Sequence, residues 1–221
     1  MSELLLLGHR GARSTYSIPE NTIASFDLAL EHGCDGFEFD VRLTSDGVTV
    51  LCHDARVRGI EIARATRAEL ASLATLEEVL EMYAQRAFLD IELKVPGVER
   101  KLLAALSKHS PRSYVVSSFL PEVLQHLHSH DVRVPLGLIS DTPRQMAAWR
   151  ELPIQFLIPQ HKLVRRDLID EVHDRAKKIF VWTVNEREAM LRLAAWGADG
   201  VISDNTRLLA ETLREKGKLE S

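Results

Sequence analysis

The hydrophobic pattern of this chain alternates between short apolar runs and amphipathic segments from one end to the other. The short runs are typical of buried strands, and the segments between them repeat their apolar positions with a helical period. Ile23, Phe26 and Leu30, for example, share one face of a helix predicted over residues 21–31. Strands are predicted at residues 4–8, 36–43, 48–52, 87–93, 114–117, 134–139, 154–158, 179–184 and 200–203.

Helix-start and turn signals fall between these runs. Thr75 with Glu78 three residues later predicts a capping box. Asn21 or Thr22 is expected to cap the first helix, Asn185 a later one, and Asp204 or Asn205 the last. The sequence Ser45-Asp46-Gly47 predicts a tight turn that joins strands 36–43 and 48–52 into a hairpin.

Counting that hairpin once gives about eight strand–helix units, which predicts the fold. The count favours a closed parallel α/β barrel, the TIM (β/α)8 fold, over an open doubly wound sheet. No Gly-x-Gly-x-x-Gly or Walker loop supports a nucleotide-binding fold. Residues 55–72 are the least regular stretch and predict a short surface excursion after the second strand unit. Without a long linker or a composition shift, residues 1–221 are predicted to form a single domain.

Composition and charge exclude several classes of partner. The formal net charge of −4 and the scattered Arg and Lys residues argue against nucleic-acid binding. No apolar run reaches the roughly 20 residues of a membrane helix, and no secretory signal is recognisable, so stable membrane insertion is not expected. Cys34 and Cys52 form no disulfide framework and are expected to be free thiols. These features predict a soluble cytoplasmic protein, and they leave the oligomeric state open.

Four short clusters at or beside predicted strand ends carry the chemistry. They are His9-Arg10-Gly11, Glu38-Phe39-Asp40, His53-Asp54 and Glu92-Leu93-Lys94. Histidine can move a proton near neutral pH, grouped carboxylates hold a hard divalent cation, and Arg and Lys hold phosphate. The carboxyl ends of barrel strands meet at one mouth, so the clusters should converge there. This inventory suits metal-assisted cleavage of a phosphate ester.

Each cluster taken alone also has a purely structural explanation. Glu38 and Asp40 could form ion pairs with Arg42 and Lys94, and Glu92 with Lys94 could be a self-contained ion pair. Asp54 could orient His53, but neighbouring residues on a strand point to opposite faces, which favours a hydrogen-bonding or capping role elsewhere. The convergence of all four clusters on adjacent strand ends makes the functional interpretation the stronger one.

The ordered motifs make the chain resemble the glycerophosphodiester phosphodiesterase family, over nearly its whole length. Each motif is short and weak alone, but the set in this order is highly specific. The motifs are His9-Arg10-Gly11, Pro19-Glu20-Asn21-Thr22, Glu38-Phe39-Asp40-Val41, His53-Asp54, Thr75-Leu76-Glu77-Glu78-Val79-Leu80, Glu92-Leu93-Lys94, Trp182-Thr183-Val184-Asn185 and the stretch from Gly197 to Asp204.

The resemblance implies a barrel with one divalent metal ion at its strand ends. The metal ligands would be Glu38, Asp40 and Glu92, and ligation by oxygen alone indicates Mg²⁺ or Ca²⁺ rather than zinc. His9 and His53 would form the acid–base pair, although the sequence does not say which is the acid.

The same resemblance implies how the substrate is held. Arg10 and Lys94 would contact the phosphate, and Trp182 would line the substrate cleft. Glu20 and Asn21 fit better as supports that orient Arg10 and the first loop. The segment between His53 and Thr75 is shorter than is usual in this family, which predicts a more open mouth.

The expected function is metal-dependent hydrolysis of a small-molecule glycerophosphodiester to glycerol 3-phosphate and an alcohol. The nearest alternative is a lysophospholipase D-type enzyme that cuts a lipid phosphodiester. An aromatic content of 6% and the lack of a basic amphipathic helix speak against that alternative. A catalytically inactive phosphate-binding protein should lack a histidine or a ligand, and none is missing. A metal-dependent lyase on the same barrel would not need Arg10 and both histidines.

Overall fold

The computed structural model of this protein describes residues 4–219, with side chains through residue 214. Its strands are β1 (Leu5–His9), β2 (Gly36–Leu43), β3 (Thr49–Leu51), β4 (Arg56–Val57), β5 (Ile60–Glu61), β6 (Phe88–Leu93), β7 (Tyr114–Ser118), β8 (Leu136–Ser140), β9 (Phe156–Pro159), β10 (Lys178–Val181) and β11 (Gly200–Ser203). Its α-helices are α1 (Ile23–Glu31), α2 (Leu76–Tyr83), α3 (Glu99–His109), α4 (Pro121–His130), α5 (Pro143–Ala147), α6 (Arg166–Asp174), α7 (Arg187–Trp196) and α8 (Thr206–Leu219).

The parallel strands close into a barrel. Their order is β1-β2-β6-β7-β8-β9-β10-β11, and β11 pairs with β1, for example at Leu7 and Ile202. The antiparallel strand β3 adds to β2 outside the ring. The predicted (β/α)8 barrel is therefore confirmed, and the carboxyl ends of all eight barrel strands open on the same face.

Two apolar cores hold the barrel together. The larger core lies between the strands and the surrounding helices and includes Phe37, Phe39, Leu80 and Trp149. The smaller core fills the inside of the barrel. Gly36 lets β2 lie close to the backbone of Phe88 on β6, where an added Cβ would lie 1.9 Å from the Phe88 carbonyl oxygen. A close approach of this kind excludes every residue except glycine.

The helix caps confirm most of the predicted boundaries. The capping box of Thr75 and Glu78 starts α2, with both of its hydrogen bonds present. Thr22 caps α1 through the amide of Ser25, and Asn205 accepts a hydrogen bond of 3.1 Å from the amide of Leu208 in α8. Satisfying these first amides fixes where each helix starts after its strand.

The predicted cap at Asn185 is wrong. Helix α7 begins at Arg187, and Glu186 precedes it without a side-chain cap. The Asn185 side chain points to the end of β11 instead, where it accepts hydrogen bonds from the Ser203 hydroxyl and the Asp204 amide, both at 3.0 Å. The partners lie 18 and 19 residues away, so local spacing could not predict them.

The excursion after β3 is more ordered than its sequence indicates. It contains the small antiparallel pair β4–β5 and a 3₁₀ turn at Ile62–Arg64. Ile62 and Leu70 are buried and pack with Val50, which anchors the excursion to the barrel. This anchoring fixes the chain around His53, at the edge of the mouth.

Strand β10 ends earlier than predicted, at Val181, so Trp182 lies just beyond the strand rather than within it. Both cysteines are free thiols, as expected. In residues 4–219, no helix combines the length and the apolar character that a membrane crossing requires.

Candidate active site

The predicted site residues come together at the carboxyl ends of β1, β2 and β6. His9 closes β1 and stands next to Glu38 in the β1–β2 register. Asp40, two residues further along β2, stands next to Glu92 of β6. Side chains two residues apart on a strand share a face, so Glu38 and Asp40 point to the same side. Neighbouring strands of the closed barrel thus bring these carboxylates to one place.

The carboxylates of Glu38, Asp40 and Glu92 form a compact buried cluster. Each can offer one oxygen such that all three oxygens lie within 4.8 Å of one another. Glu38 accepts a hydrogen bond from the Arg10 amide at 3.0 Å through Oε2, while Oε1 is buried with no hydrogen-bond partner among the described residues. A buried carboxylate oxygen without a donor is costly unless a cation satisfies it.

Two cations stand beside the cluster. Arg10 contacts Asp40 at 3.1 Å through Nε and Glu20 at 2.9 Å through Nη1. Lys94 contacts Glu92 at 2.6 Å and Asp40 at 3.3 Å. The ion pair between Glu92 and Lys94 that the sequence suggested as an alternative therefore exists, but it forms part of the convergent site. Arg42 instead donates to the backbone carbonyl of His53, at 2.6 Å.

The electrostatics show that the cluster lacks positive charge. Burial raises the pKa of Glu92 to about 7, with repulsion from Asp40 adding to it and Lys94 opposing it. Burial and repulsion from Asp40 also raise the pKa of Glu38 well above its usual range. For Asp40 burial alone would raise the pKa, but Lys94 and Arg10 hold it below its usual value. Two cations stabilise the Asp40 carboxylate and leave the other two carboxylates undercompensated.

His9 is oriented by Asp204, a partner that the sequence did not reveal. The Nδ1 atom of His9 lies 2.7 Å from Oδ1 of Asp204, which directly follows β11. Burial would raise the pKa of Asp204, but hydrogen bonds from His9, Asn185 and Arg13 hold it well below its usual range. An ionised Asp204 accepts a hydrogen bond from Nδ1–H, so Nε2 of the neutral ring is free to accept a proton. Burial is also the main reason that the pKa of His9 is lowered.

His53 has an orienting carboxylate as well. Its Nδ1 lies 2.8 Å from Oδ1 of Asp54. The expectation that these neighbours diverge was wrong, because β3 ends at Leu51 and strand alternation no longer applies at residue 53. His53 is 37% exposed at its side chain, whereas His9 is 10% exposed. The two histidines thus stand at the same mouth in different surroundings.

The first loop holds Arg10 in an unusual backbone conformation. Arg10 and Asn21 have φ values of 53° and 57°, in the left-handed region that few residues other than glycine adopt. Asn21 supports the arrangement, since its amide nitrogen donates to Asp40 at 2.8 Å and its amide oxygen accepts from the Asp40 backbone at 3.1 Å. Next to Arg10, Gly11 must be glycine because a Cβ would lie 2.3 Å from the Ser25 hydroxyl. Glu20 and Asn21 therefore contact Arg10 and Asp40 as supports.

A cavity of about 200 Å³ is lined by both histidines, both cations and two of the carboxylates, namely His9, His53, Arg10, Lys94, Glu38 and Glu92. One side carries the charged groups described above, and the other side is an apolar wall. Trp182 belongs to that wall, with its indole N–H donating to the Ile158 carbonyl at 2.9 Å. The Trp182 and Phe119 rings meet edge to face, with centroids 5.5 Å apart. Residues of the wall are Phe119, Ile139, Ile158, Trp182 and Ile202.

Asp90 is a second feature that sequence reasoning missed. It lies one layer below Glu92 on β6, fully buried, and lines the cavity. The Ser117 hydroxyl donates to its Oδ1 at 2.5 Å, and burial raises its pKa to about 7. The alternation of β6, which places Asp90 and Glu92 on one face, was the available signal.

Comparison with known proteins agrees with the fold and identifies the family. The model of the glycerophosphoryl diester phosphodiesterase family matches residues 9–208. A glycerophosphodiester phosphodiesterase from Caldanaerobacter subterraneus is 30% identical, over 96% of this chain and 99% of its own length. The fold and these matches define an enzyme that cleaves phosphodiesters on an α/β barrel. The chain belongs to the glycerophosphoryl diester phosphodiesterase family.

Solved structures share the whole fold. A glycerophosphodiester phosphodiesterase from Thermotoga maritima superposes with a TM-score of 0.82 and 26% identity, covering 96% of this chain and 99% of that one. A phosphodiesterase from Oleispira antarctica, solved in complex with the product sn-glycerol-3-phosphate, gives a TM-score of 0.84 at 23% identity. It covers 95% of this chain and 96% of its own. The predicted family, fold and enzyme class are thus confirmed.

Proposed function

We propose that this enzyme hydrolyses glycerophosphodiesters to glycerol 3-phosphate and an alcohol, with one divalent cation held by Glu38, Asp40 and Glu92. The observation that carries the proposal is the convergence on one cavity of a carboxylate cluster, two cations and two histidines. The whole chain is taken as one catalytic domain, because the site draws on strands from both ends of the sequence.

The carboxylate cluster fits a divalent cation. Its oxygens are grouped, the Glu38 Oε1 has no donor within the described part of the chain, and the raised pKa values of Glu38 and Glu92 mark a deficit of positive charge. Oxygen-only donors favour Mg²⁺ or Ca²⁺. Such an ion neutralises charge on phosphate oxygens when it is bound.

Arg10 and Lys94 bind the phosphate in this proposal. Their side chains are mostly buried, and both already border the cavity beside Asp40. Once the carboxylates are compensated by the cation, the remaining donors of Arg10 and Lys94 can turn to the non-bridging phosphate oxygens. Donors fixed where negative charge develops lower the barrier without reorganising.

His9 and His53 move the protons. The lowered pKa of His9 favours its neutral form, and Asp204 leaves Nε2 available to accept a proton from the attacking hydroxyl, whether of water or of the glycerol. His53, at the more open side of the mouth, gives a proton to the departing alcohol. The pH profiles of the two variants, described below, test this assignment.

The cavity volume of about 200 Å³ suits a small-molecule substrate. The bound sn-glycerol-3-phosphate of the Oleispira antarctica relative supports the same substrate class. A lipid diester, as in the lysophospholipase D alternative, would need a long apolar channel, whereas this small cavity has charged side chains in its lining, Glu38 and Asp90 among them.

The test is an assay of glycerol 3-phosphate release. Purified enzyme with Mg²⁺ or Ca²⁺ is given glycerophosphocholine, glycerophosphoethanolamine and, separately, long-chain lysophospholipids. We expect glycerol 3-phosphate and the free alcohol from both small diesters. Turnover of lysophospholipids alone would contradict the proposal and favour the lipid-cutting alternative. A cyclic phosphate as the only product would indicate a lyase.

A further inference from the structure

Besides the buried Asp90, one further carboxylate lining the cavity belongs neither to the metal cluster nor to the histidines. Asp141 directly follows β8, is exposed, and lines the cavity. Its backbone N–H donates to Gln145 Oε1 at 3.3 Å, while its carboxylate makes no hydrogen bond or ion pair with any side chain in the described part of the chain. A carboxylate at a cavity mouth without a protein partner is available to a cation from solution.

Asp141 stands across the barrel from Arg10 and two strands away from Lys94. In the ring of eight strands, β8 lies opposite β1, which leads into Arg10. The apolar wall connects the two sides, with Phe119 next to Lys94 at one end, where the Lys94 ammonium lies 5.5 Å from the ring centroid. A ligand with a phosphate at Arg10 and Lys94 would run along the wall and bring its other end to Asp141.

The chemistry of the wall indicates what that other end is. The Trp182 N–H is already used by Ile158, so the indole offers its ring rather than a donor. The Phe119 and Trp182 rings stand edge to face, which gives the wall a ring face and a ring edge. Aromatic surface together with a carboxylate is the environment that attracts alkylated ammonium groups. A neutral polyol would find few hydrogen-bond partners there.

We propose that Asp141 and the apolar wall bind a cationic alcohol moiety, an ammonium or a quaternary ammonium group, and so select cationic glycerophosphodiesters over neutral ones. The inference rests on the proposed function, since it places the phosphate at Arg10 and Lys94. Asp141 is the specificity-determining residue, and it takes no part in bond breaking.

The experiment compares glycerophosphocholine with its neutral isostere, in which a tert-butyl group replaces the trimethylammonium group. Shape and apolar surface are nearly equal, so the difference reports charge alone. We expect the wild type to favour glycerophosphocholine by about three- to tenfold in kcat/KM, mainly through KM, because the charge pair is exposed to solvent. The preference should shrink as salt rises.

The variant Asp141→Asn should bring that preference close to one by weakening glycerophosphocholine alone. Asp141→Glu should keep much of it. The matched control is Asp174→Asn on α6, an exposed acid that does not line the cavity and that changes the net charge equally. A long-range charge effect would reduce the preference in the control as well.

Binding to the His53→Ala variant, measured by calorimetry, gives the same comparison without turnover. Tighter binding of glycerophosphocholine than of the neutral isostere, lost on Asp141→Asn, supports the inference. Equal affinities, or a preference that Asp141→Asn leaves intact, overturn it. Equal hydrolysis of both diesters by the wild type would likewise overturn the inference while the proposed function stands. If neither is hydrolysed, the proposed function fails and the binding comparison decides the inference.

Discussion

The two halves of the barrel interior share one backbone geometry but have opposite chemistry. The charged half, formed by β1, β2 and β6, presents His9, Glu38, Asp40, Asp90 and Glu92. The apolar half, formed mainly by β7 to β11 with Leu7 added from β1, presents Val115, Ile139, Phe156, Ile158, Phe180 and Ile202. Side chains reach the interior at alternate positions in both halves, so residue identity alone decides where the reaction takes place.

The two halves also differ in what they contribute, because the apolar half stabilises the fold and the charged half carries the activity. Each fully buried side chain of the apolar half, such as Ile158 or Phe180, contributes roughly 1.5–3 kcal/mol by leaving water. In the charged half, burial opposes the ionised state of Glu38, Asp90 and Glu92 and raises their pKa values. Substitutions in the charged half should therefore remove activity far more than stability. Substitutions in the apolar half should do the reverse.

The largest expected effect is at the metal ligands. Glu38→Gln should lower kcat by roughly 10³-fold or more, since the cluster loses a carboxylate whose Oε1 has no hydrogen-bond partner among residues 4–214. The thermal midpoint should change little, and binding of Mg²⁺ by calorimetry should weaken. The exposed Glu122→Gln on α4 is the control. Normal activity in Glu38→Gln would remove Glu38 from the site.

The next largest effect on kcat is expected at the two histidines. His9→Ala and His53→Ala should each lower kcat by roughly 10²-fold or more. The pH profile of kcat/KM should be bell-shaped in the wild type. His9→Ala should lose the rise at acid pH, and His53→Ala the fall at alkaline pH, because His9 acts as the base and His53 as the acid. His130→Ala at the exposed end of α4 is the control. If each variant lost the other limb of the pH profile instead, the roles of base and acid would be exchanged. A near-normal kcat in either variant would exclude that histidine from the mechanism.

A smaller effect is expected at Asp204, which acts on the reaction through His9. Asp204→Asn should lower kcat by about tenfold, because an amide no longer fixes the Nδ1 proton of His9. The acid limb of the pH profile should shift to lower pH, since the hydrogen bond to Asp204 raises the pKa of His9. Asp204→Glu should recover part of the rate. A loss of rate with an unmoved limb would point to a purely structural role.

The last expected effect concerns stability rather than activity, at Asp90. The folded-state pKa of about 7 lies above the usual value of an aspartate, so the folded protein holds the proton more tightly than the unfolded chain. The contribution of Asp90 to the free energy of unfolding is fully present below about pH 4 and is lost as the pH rises through 7. Asp90→Asn should therefore stabilise the metal-free protein by about 2 kcal/mol at pH 8, and far less at pH 4. Urea denaturation at both pH values tests this, and a gain independent of pH would contradict it.

The fold and the charged half could largely be predicted from the sequence. Strand periodicity gave eight units, and the Glu-x-Asp and Glu-x-Lys patterns placed Glu38, Asp40 and Glu92 on neighbouring strands. These signals are local, because two-residue alternation fixes the face on which a side chain lies. The Thr75 capping box was predictable for the same reason.

Contacts between the ends of the chain could not be predicted in that way. Asp204 meets His9 across 195 residues, and only the closure of β11 onto β1 brings them together. Asn185 could not be predicted for the same reason. Its side chain is suited to cap a helix, but it donates a hydrogen bond to the Asp204 carboxylate instead. Asp54 was misjudged because strand alternation was extended past the end of β3. For Asp204 and Asn185 the competing signal was a tertiary contact, whereas for Asp54 it was the local end of a strand.

The most direct test of the account is the metal dependence of glycerol 3-phosphate release. Enzyme treated with EDTA and freed of chelator is assayed with glycerophosphocholine, and Mg²⁺ or Ca²⁺ is then added back. The charge deficit at Glu38, Asp40 and Glu92 predicts that activity disappears with the metal and returns with either ion. Full activity in the metal-stripped enzyme would contradict the central claim that these carboxylates hold a catalytic cation.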